Sequence, residues 1–124
     1  MKSAVVGHGV IGKHHAKILS DLGILCAVCD VDRDALKDLE NVKLYRDYIE
    51  MLDREKPDAV HICTPHYLHA DMVMEALGRN INVLCEKPLC ICREDIKRIL
   101  EAEKNSKAML GVCHQTDIIL PIGT

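Results

Sequence analysis

The stretch Ser3-Ala4-Val5-Val6-Gly7-His8-Gly9-Val10-Ile11-Gly12, running on into Lys13-His14-His15-Ala16-Lys17-Ile18-Leu19, decides how this chain is read. Ser3–Val6 is a short apolar run of the kind that forms a strand buried on both faces. From Val10 onward the apolar residues fall at helical spacing, and the pattern predicts a helix over 10–22 with Ile11, Ile18, Leu19 and Leu22 along one stripe. Three glycines stand between the two elements as G-x-G-x-x-G. Strand, glycine turn and helix in that order are the parts of a βαβ unit.

The same alternation continues outward from this stretch. Further strands are predicted over 24–30, 42–45, 59–63, 82–85 and 108–113. Helices are predicted over 32–39, with Asp32 as its cap, over a segment opened by the capping-box pair Asp47 and Glu50 with Ile49 and Leu52 inward, over 66–79, and over 92–105. The fourth helix places Leu68, Met72, Val73, Ala76 and Leu77 on one face, and the fifth places Ile96, Ile99 and Leu100 inward. With right-handed crossovers this order gives an α/β fold: a doubly wound, mainly parallel six-stranded sheet, Rossmann-like, in three α/β/α layers. No repeat, linker or low-complexity stretch interrupts it.

Composition agrees. The chain has 124 residues, 48% hydrophobic and 28% charged, which fits one soluble domain with a core of Val, Ile, Leu, Ala, Met and Cys. Net charge is −3 and aromatic content 2%, so nucleic acid is not an expected partner. The N-terminal apolar run is too short for a signal peptide or a membrane span. Seven cysteines, an odd number, point to reduced thiols in the cytoplasm.

The glycine motif has a definite chemistry. Gly7 permits the tight turn, Gly9 lets backbone approach a pyrophosphate, and Gly12 lets the helix sit close on the sheet. The anion would rest on the N–H groups at the helix start, so His8, Val10 and Ile11 join the glycines as candidate cofactor contacts. Asp30, at the end of the second strand, suits the ribose hydroxyls of an adenosine and repels a 2′-phosphate. That combination favours NAD, while Arg33 nearby leaves room for NADP.

Two later segments narrow the reading. Cys63-Thr64-Pro65-His66-Tyr67-Leu68-His69-Ala70 leaves the fourth strand, and Val83-Leu84-Cys85-Glu86-Lys87-Pro88-Leu89 leaves the fifth. With the glycine loop ahead of them, these resemble the T-P-x-x-x-H and E-K-P signatures of the Gfo/Idh/MocA oxidoreductase family. The resemblance implies an NAD(P)-binding domain over 1–115, with Thr64, Pro65, His69, Glu86 and Lys87 at or behind the cofactor. It also implies hydride transfer to or from a hydroxyl carbon of a sugar or polyol in a full-length enzyme. Lys87 is the catalytic candidate, since an ammonium there can orient the substrate hydroxyl and steady an alkoxide. Pro88 resembles a position often cis in the family.

The resemblance also says what to expect at the end of the chain. The family's proton-transferring acid and histidine belong to a second domain, and His114 is no substitute for them. Residues 116–124 are expected to be a non-family tail. A codon string for Gln-Asn-Arg-Tyr-Asn-Pro, with one base lost from an adenine tract, reads Gln-Thr-Asp-Ile-Ile-Leu as found from Gln115, so truncation by frameshift is the expectation. Turnover by this chain alone is then not expected. The surface such a second domain would cover is expected to drive homo-oligomer formation.

Other conspicuous residues have plainer readings. His66 and His69 have a spacing that can hold a metal but lack a carboxylate or thiol partner nearby, and no metal is expected. Cys26 and Cys29 lie within a strand, point to opposite faces and read as packing thiols. Cys85, Cys90 and Cys92 bracket the E-K-P loop, and Cys92 is a poor cap. The alternatives to an oxidoreductase domain are a non-catalytic dinucleotide-binding module and, further off, a thiol or metal protein.

Overall fold

The computed structural model describes residues 1–65, 68–86, 93–113 and 119–121. Six parallel strands form the sheet: β1 (Ser3–Val6), β2 (Leu25–Cys29), β3 (Lys43–Tyr45), β4 (Ala59–Ile62), β5 (Asn82–Glu86) and β6 (Leu110–Cys113). Their order is β3-β2-β1-β4-β5-β6, so the direction of winding reverses between β1 and β4. A seventh strand, β7 (Ile119–Pro121), pairs antiparallel with β6. The sequence pattern placed those three residues in a tail; the rest of 116–124 lies outside the described residues.

Among the described residues, four helices cover the sheet: α1 (Val10–Asp21), α2 (Tyr48–Glu55), α3 (His69–Gly78) and α4 (Arg93–Lys104). α1 and a single 3-10 turn at Arg33–Leu36 cover Val5 and Val28 on one face. The other three helices bury the larger core, built around Met51, Leu52, Val60, Ile62, Val73 and Leu77. This is the three-layer arrangement expected from the βα alternation.

Several helices are rotated from the stripes their apolar residues suggest. α1 buries Gly12, Ala16 and Leu19, whereas Ile11, Ile18 and Leu22 are exposed. Here the close approach of a glycine sets the phase, because a bare Cα can press nearer to the sheet than a branched side chain. α2 buries Tyr48, Met51 and Leu52 and leaves Ile49 outside. α3 follows expectation at Val73, Ala76 and Leu77 and adds His69 and Ala70, while Leu68 is exposed before its first turn. α4 buries Ile99 but not Ile96 or Leu100. It lies mainly against α3, and a helix seated on another helix hides a narrower stripe than one lying flat on a sheet.

The segment after β2 is a 3-10 turn rather than a full helix. Leu36 is its one buried residue, too little to hold several turns. Both expected caps are present: the Asp32 carboxylate accepts from the Asp34 N–H at 3.0 Å, and that of Asp47 accepts from the Glu50 N–H at 3.1 Å.

Sheet register sets up one further feature. Val28, Val5, His61, Leu84 and Gly111 are successive partners across β2, β1, β4, β5 and β6 and so share one face. α1 covers the first two and reaches His61 through His15. The last three open onto a groove of about 290 Å³ whose rim carries the exposed Met109.

Candidate functional site

At the point where winding reverses, the carboxyl ends of β1, β2 and β4 part and leave a cavity of about 330 Å³. Open α/β sheets bind ligands at such a switch point. Five residues singled out from the sequence line it together: Gly7, Gly9, Asp30, Thr64 and Pro65. They arrive from three separate strand ends.

The glycines differ in what constrains them. Gly7 has φ +90°, and a Cβ there would sit 2.7–2.8 Å from the backbone of Cys63 and Thr64. A Cβ on Gly12 would lie 1.7 Å from the Gly7 carbonyl oxygen. Both glycines are demanded by the protein's own packing. Around Gly9 nothing lies within 4 Å of the added carbon, so the fold leaves this position open toward the cavity it lines.

α1 begins at this turn with Gly9 as its cap, and it has neither a side-chain cap nor an acid in its first turn. α2 and the 3-10 turn, by contrast, are both capped by aspartates. Uncapped N–H groups and the positive end of the helix dipole together favour an anion. Val10 and Ile11 stand in this first turn with exposed side chains and are not among the residues lining the cavity.

Asp30 is held in place before any ligand arrives. Its backbone N–H donates to Tyr45 O at 3.0 Å. One carboxylate oxygen accepts from the His8 N–H at 2.7 Å and the other from the Asp32 N–H at 2.9 Å. Each carboxylate oxygen has a second lone pair, so the group can still accept from a pair of hydroxyls. The turn role and the ligand role are therefore compatible.

His8 and His69 support the site from behind. The His8 ring is buried, and its Nδ1 lies 2.6 Å from Ala35 O, tying the glycine turn to the 3-10 turn. His69 is buried on α3, with Nε2 2.6 Å from Thr64 O, which pins the loop carrying Thr64 and Pro65. His69 is not among the residues lining the cavity. Arg33 is exposed at the start of the 3-10 turn and is not among the residues lining the cavity. Lys87, Pro88, His66, His114, Cys90 and Cys92 lie outside the described residues, and Glu86 is described only as the last residue of β5.

The cavity also holds residues that sequence reasoning missed: Val31, Arg46, Tyr48, Leu68 and Met72. Tyr48 donates its hydroxyl to Met72 O at 2.7 Å, and burial pushes its phenol well above the ordinary range. Thr64 Oγ1 lies 3.4 Å from the Met72 sulfur. A signal for two of the five existed. Val31 follows the acid at the end of β2, and Arg46 follows the end of β3, both on the side where ligands bind.

The model of an oxidoreductase family with an NAD-binding Rossmann fold matches residues 1–114. This chain belongs to the Gfo/Idh/MocA family. Inositol 2-dehydrogenase of Salmonella typhimurium is 34% identical over 90% of this chain, and myo-inositol 2-dehydrogenase of Thermotoga maritima is 33% identical over 89%. The chain spans 36% and 35% of the length of these two relatives. Among solved structures, the WlbA dehydrogenase from Bordetella pertussis in complex with NADH and UDP-GlcNAcA superposes with a TM-score of 0.83 at 28% identity, over 90% of this chain and 36% of that one. Myo-inositol 2-dehydrogenase from Lactobacillus plantarum gives 0.84 at 28%, over 90% and 35%. The chain is an NAD-binding Rossmann domain of this family.

The remaining conspicuous groups pack. Cys29 is buried in the larger core, where burial, with the Asp30 and Asp47 charges behind it, pushes its thiol up to about 12. Cys26 is half-buried against the same core and not the opposite face expected for it, since the register between β1 and β2 shifts at this point. No described helix is long and apolar enough to cross a membrane.

Proposed function

We propose that the cavity between the ends of β1, β2 and β4 holds the adenosine half of NAD, with the pyrophosphate over Gly7–Gly12. The observation that carries this reading is the joint position of Gly9 and Asp30 in one cavity. Gly9 has space for a ligand at its Cα, and Asp30 brings a carboxylate held by two backbone N–H groups.

When bound, the dinucleotide supplies a hydride acceptor or donor. The chain's part is to place it. The uncapped start of α1 takes the pyrophosphate charge, Asp30 accepts from the ribose hydroxyls, and the Thr64-Pro65 loop, braced by His69, forms the opposite wall. Thr64, Pro65 and Glu86 keep their assignment to the cofactor side, and Lys87 its assignment to the substrate hydroxyl. In the longer protein of which relatives are examples, the reaction is oxidation or reduction at a sugar or polyol hydroxyl carbon, with Lys87 steadying the developing alkoxide.

Calorimetric titration of this chain with NADH tests the reading. The wild-type chain is expected to bind, and Gly9→Ala to weaken binding at least tenfold with its thermal midpoint within a degree or two, since the methyl meets ligand and not protein. Equal affinity in the two proteins would remove the pyrophosphate assignment.

The same proposal includes self-association through the face of Leu84, Met109 and Gly111, which no helix covers among the described residues. Sedimentation velocity is expected to show a dimer or larger species, and a monomer at 100 μM would rule it out (~100 μM as a working concentration, ample for affinities of order μM). A reducing, cytoplasmic setting belongs to the same reading, on the odd count of seven cysteines.

A further inference from the structure

Arg46 has no part in the sequence motifs, yet it is the one Lys or Arg among the described residues lining the cavity. Its Nε and Nη2 donate to the Val31 carbonyl at 3.3 and 3.2 Å, fixing the guanidinium beside the residue that follows Asp30. The backbone bond from Asp30 N–H to Tyr45 O brings the ends of β2 and β3 together and carries Arg46 to that rim. Most of the other side chains lining the cavity are apolar, among them Val31, 77% exposed to solvent, Leu68 and Met72.

An apolar slot with one tethered guanidinium suits a flat, electron-rich ring. Guanidinium planes stack on such faces, and the two bonds to Val31 reduce the side-chain freedom lost when a ring arrives. Asp30 is held a short way along the same rim. A ribose gripped by that carboxylate would present its base toward Val31 and Arg46. We infer that Arg46 is the purine-stacking residue of this site, setting affinity for the adenosine end, while discrimination between NADH and NADPH rests with Asp30. The inference rests on the proposed dinucleotide reading.

The test uses the full chain and calorimetric titration with NADH, NADPH and 5′-AMP. Arg46→Ala is expected to weaken NADH and 5′-AMP by about tenfold each and to leave the NADH-to-NADPH affinity ratio unchanged. Arg46→Lys, which keeps the charge and loses the plane, is expected to recover little of that loss. Asp30→Asn is expected to move the ratio toward NADPH instead. Unchanged affinities in Arg46→Ala, full recovery in Arg46→Lys, or a change confined to NADPH would each overturn the assignment, the last by showing a 2′-phosphate contact. Absence of binding by the wild-type chain to all three ligands would overturn the dinucleotide reading and this inference with it. Binding that is indifferent to Arg46 would overturn this inference alone. Arg46 is exposed, so its variants are expected to keep the wild-type melting temperature, which circular dichroism checks.

Discussion

Gly12→Ala is expected to cost about 4 kcal/mol or more of folding stability, beyond the usual range for a single methyl added to a packed site. The new carbon would fall 1.7 Å from the Gly7 carbonyl oxygen and 2.7 Å from the Gly7 carbonyl carbon. These are backbone atoms in a turn that is itself wedged against Cys63 and Thr64, so neither partner can step aside cheaply. Relief requires α1 to lift from the sheet, and that loosens Ala16 and Leu19 from Val5 and Val28. For a domain of this size the loss corresponds to a fall in melting temperature of roughly 15 °C. Urea denaturation followed by circular dichroism measures it directly, and a midpoint equal to wild type would show that the helix does not sit as described. Paired with Gly9→Ala, the experiment separates a glycine required by the fold from one required by the ligand.

Acid is expected to destabilise the domain through one histidine. His61 lies on β4 with its Nδ1 2.8 Å from Nδ1 of His15 on α1, an arrangement in which one ring donates and the other accepts. Burial first, and the neighbouring His15 second, lower the His61 pKa to about 4 from 6.5. The folded state therefore resists protonation that the unfolded chain accepts. Between those two values the unfolded state binds more protons, so stability is fully present above pH 6.5 and declines as pH falls toward 4. A shift of that size corresponds to roughly 3 kcal/mol over the whole window. Denaturant midpoints at a series of pH values should fall across this range, and His61→Leu should flatten the fall. The same slope in the variant would move the cause to other groups.

The legible part of the molecule was the part written in short spacing. A four-residue apolar run followed by G-x-G-x-x-G and a helical period specifies strand, turn and helix within a dozen residues, and the β-then-α alternation carried the sheet with it. Asp30, Thr64 and Pro65 could be named because each sits next to a strand end in a motif. Arg46 and Met72 belong to no motif, and Arg46 carried only the weaker signal of following a strand end. Neither is near the glycine loop in the chain, and only the pairing of β3 with β2 and the seating of α3 bring them to the cavity. The inward face of α1 was misplaced for a related reason: Ile11, Ile18 and Leu22 outweigh Gly12 and Ala16 in hydrophobicity, yet the small pair faces the sheet.

Local pattern thus sufficed for the order of elements, the parallel sheet and the chemistry of the turn, since strand period, helix period and glycine's backbone freedom act over a few neighbouring residues. Tertiary packing alone chose which helix faces point inward, which side chains wall the cavity beside Asp30, and that His61 meets His15. Those outcomes depend on how closely two elements can approach, a distance set by residues far apart in the chain.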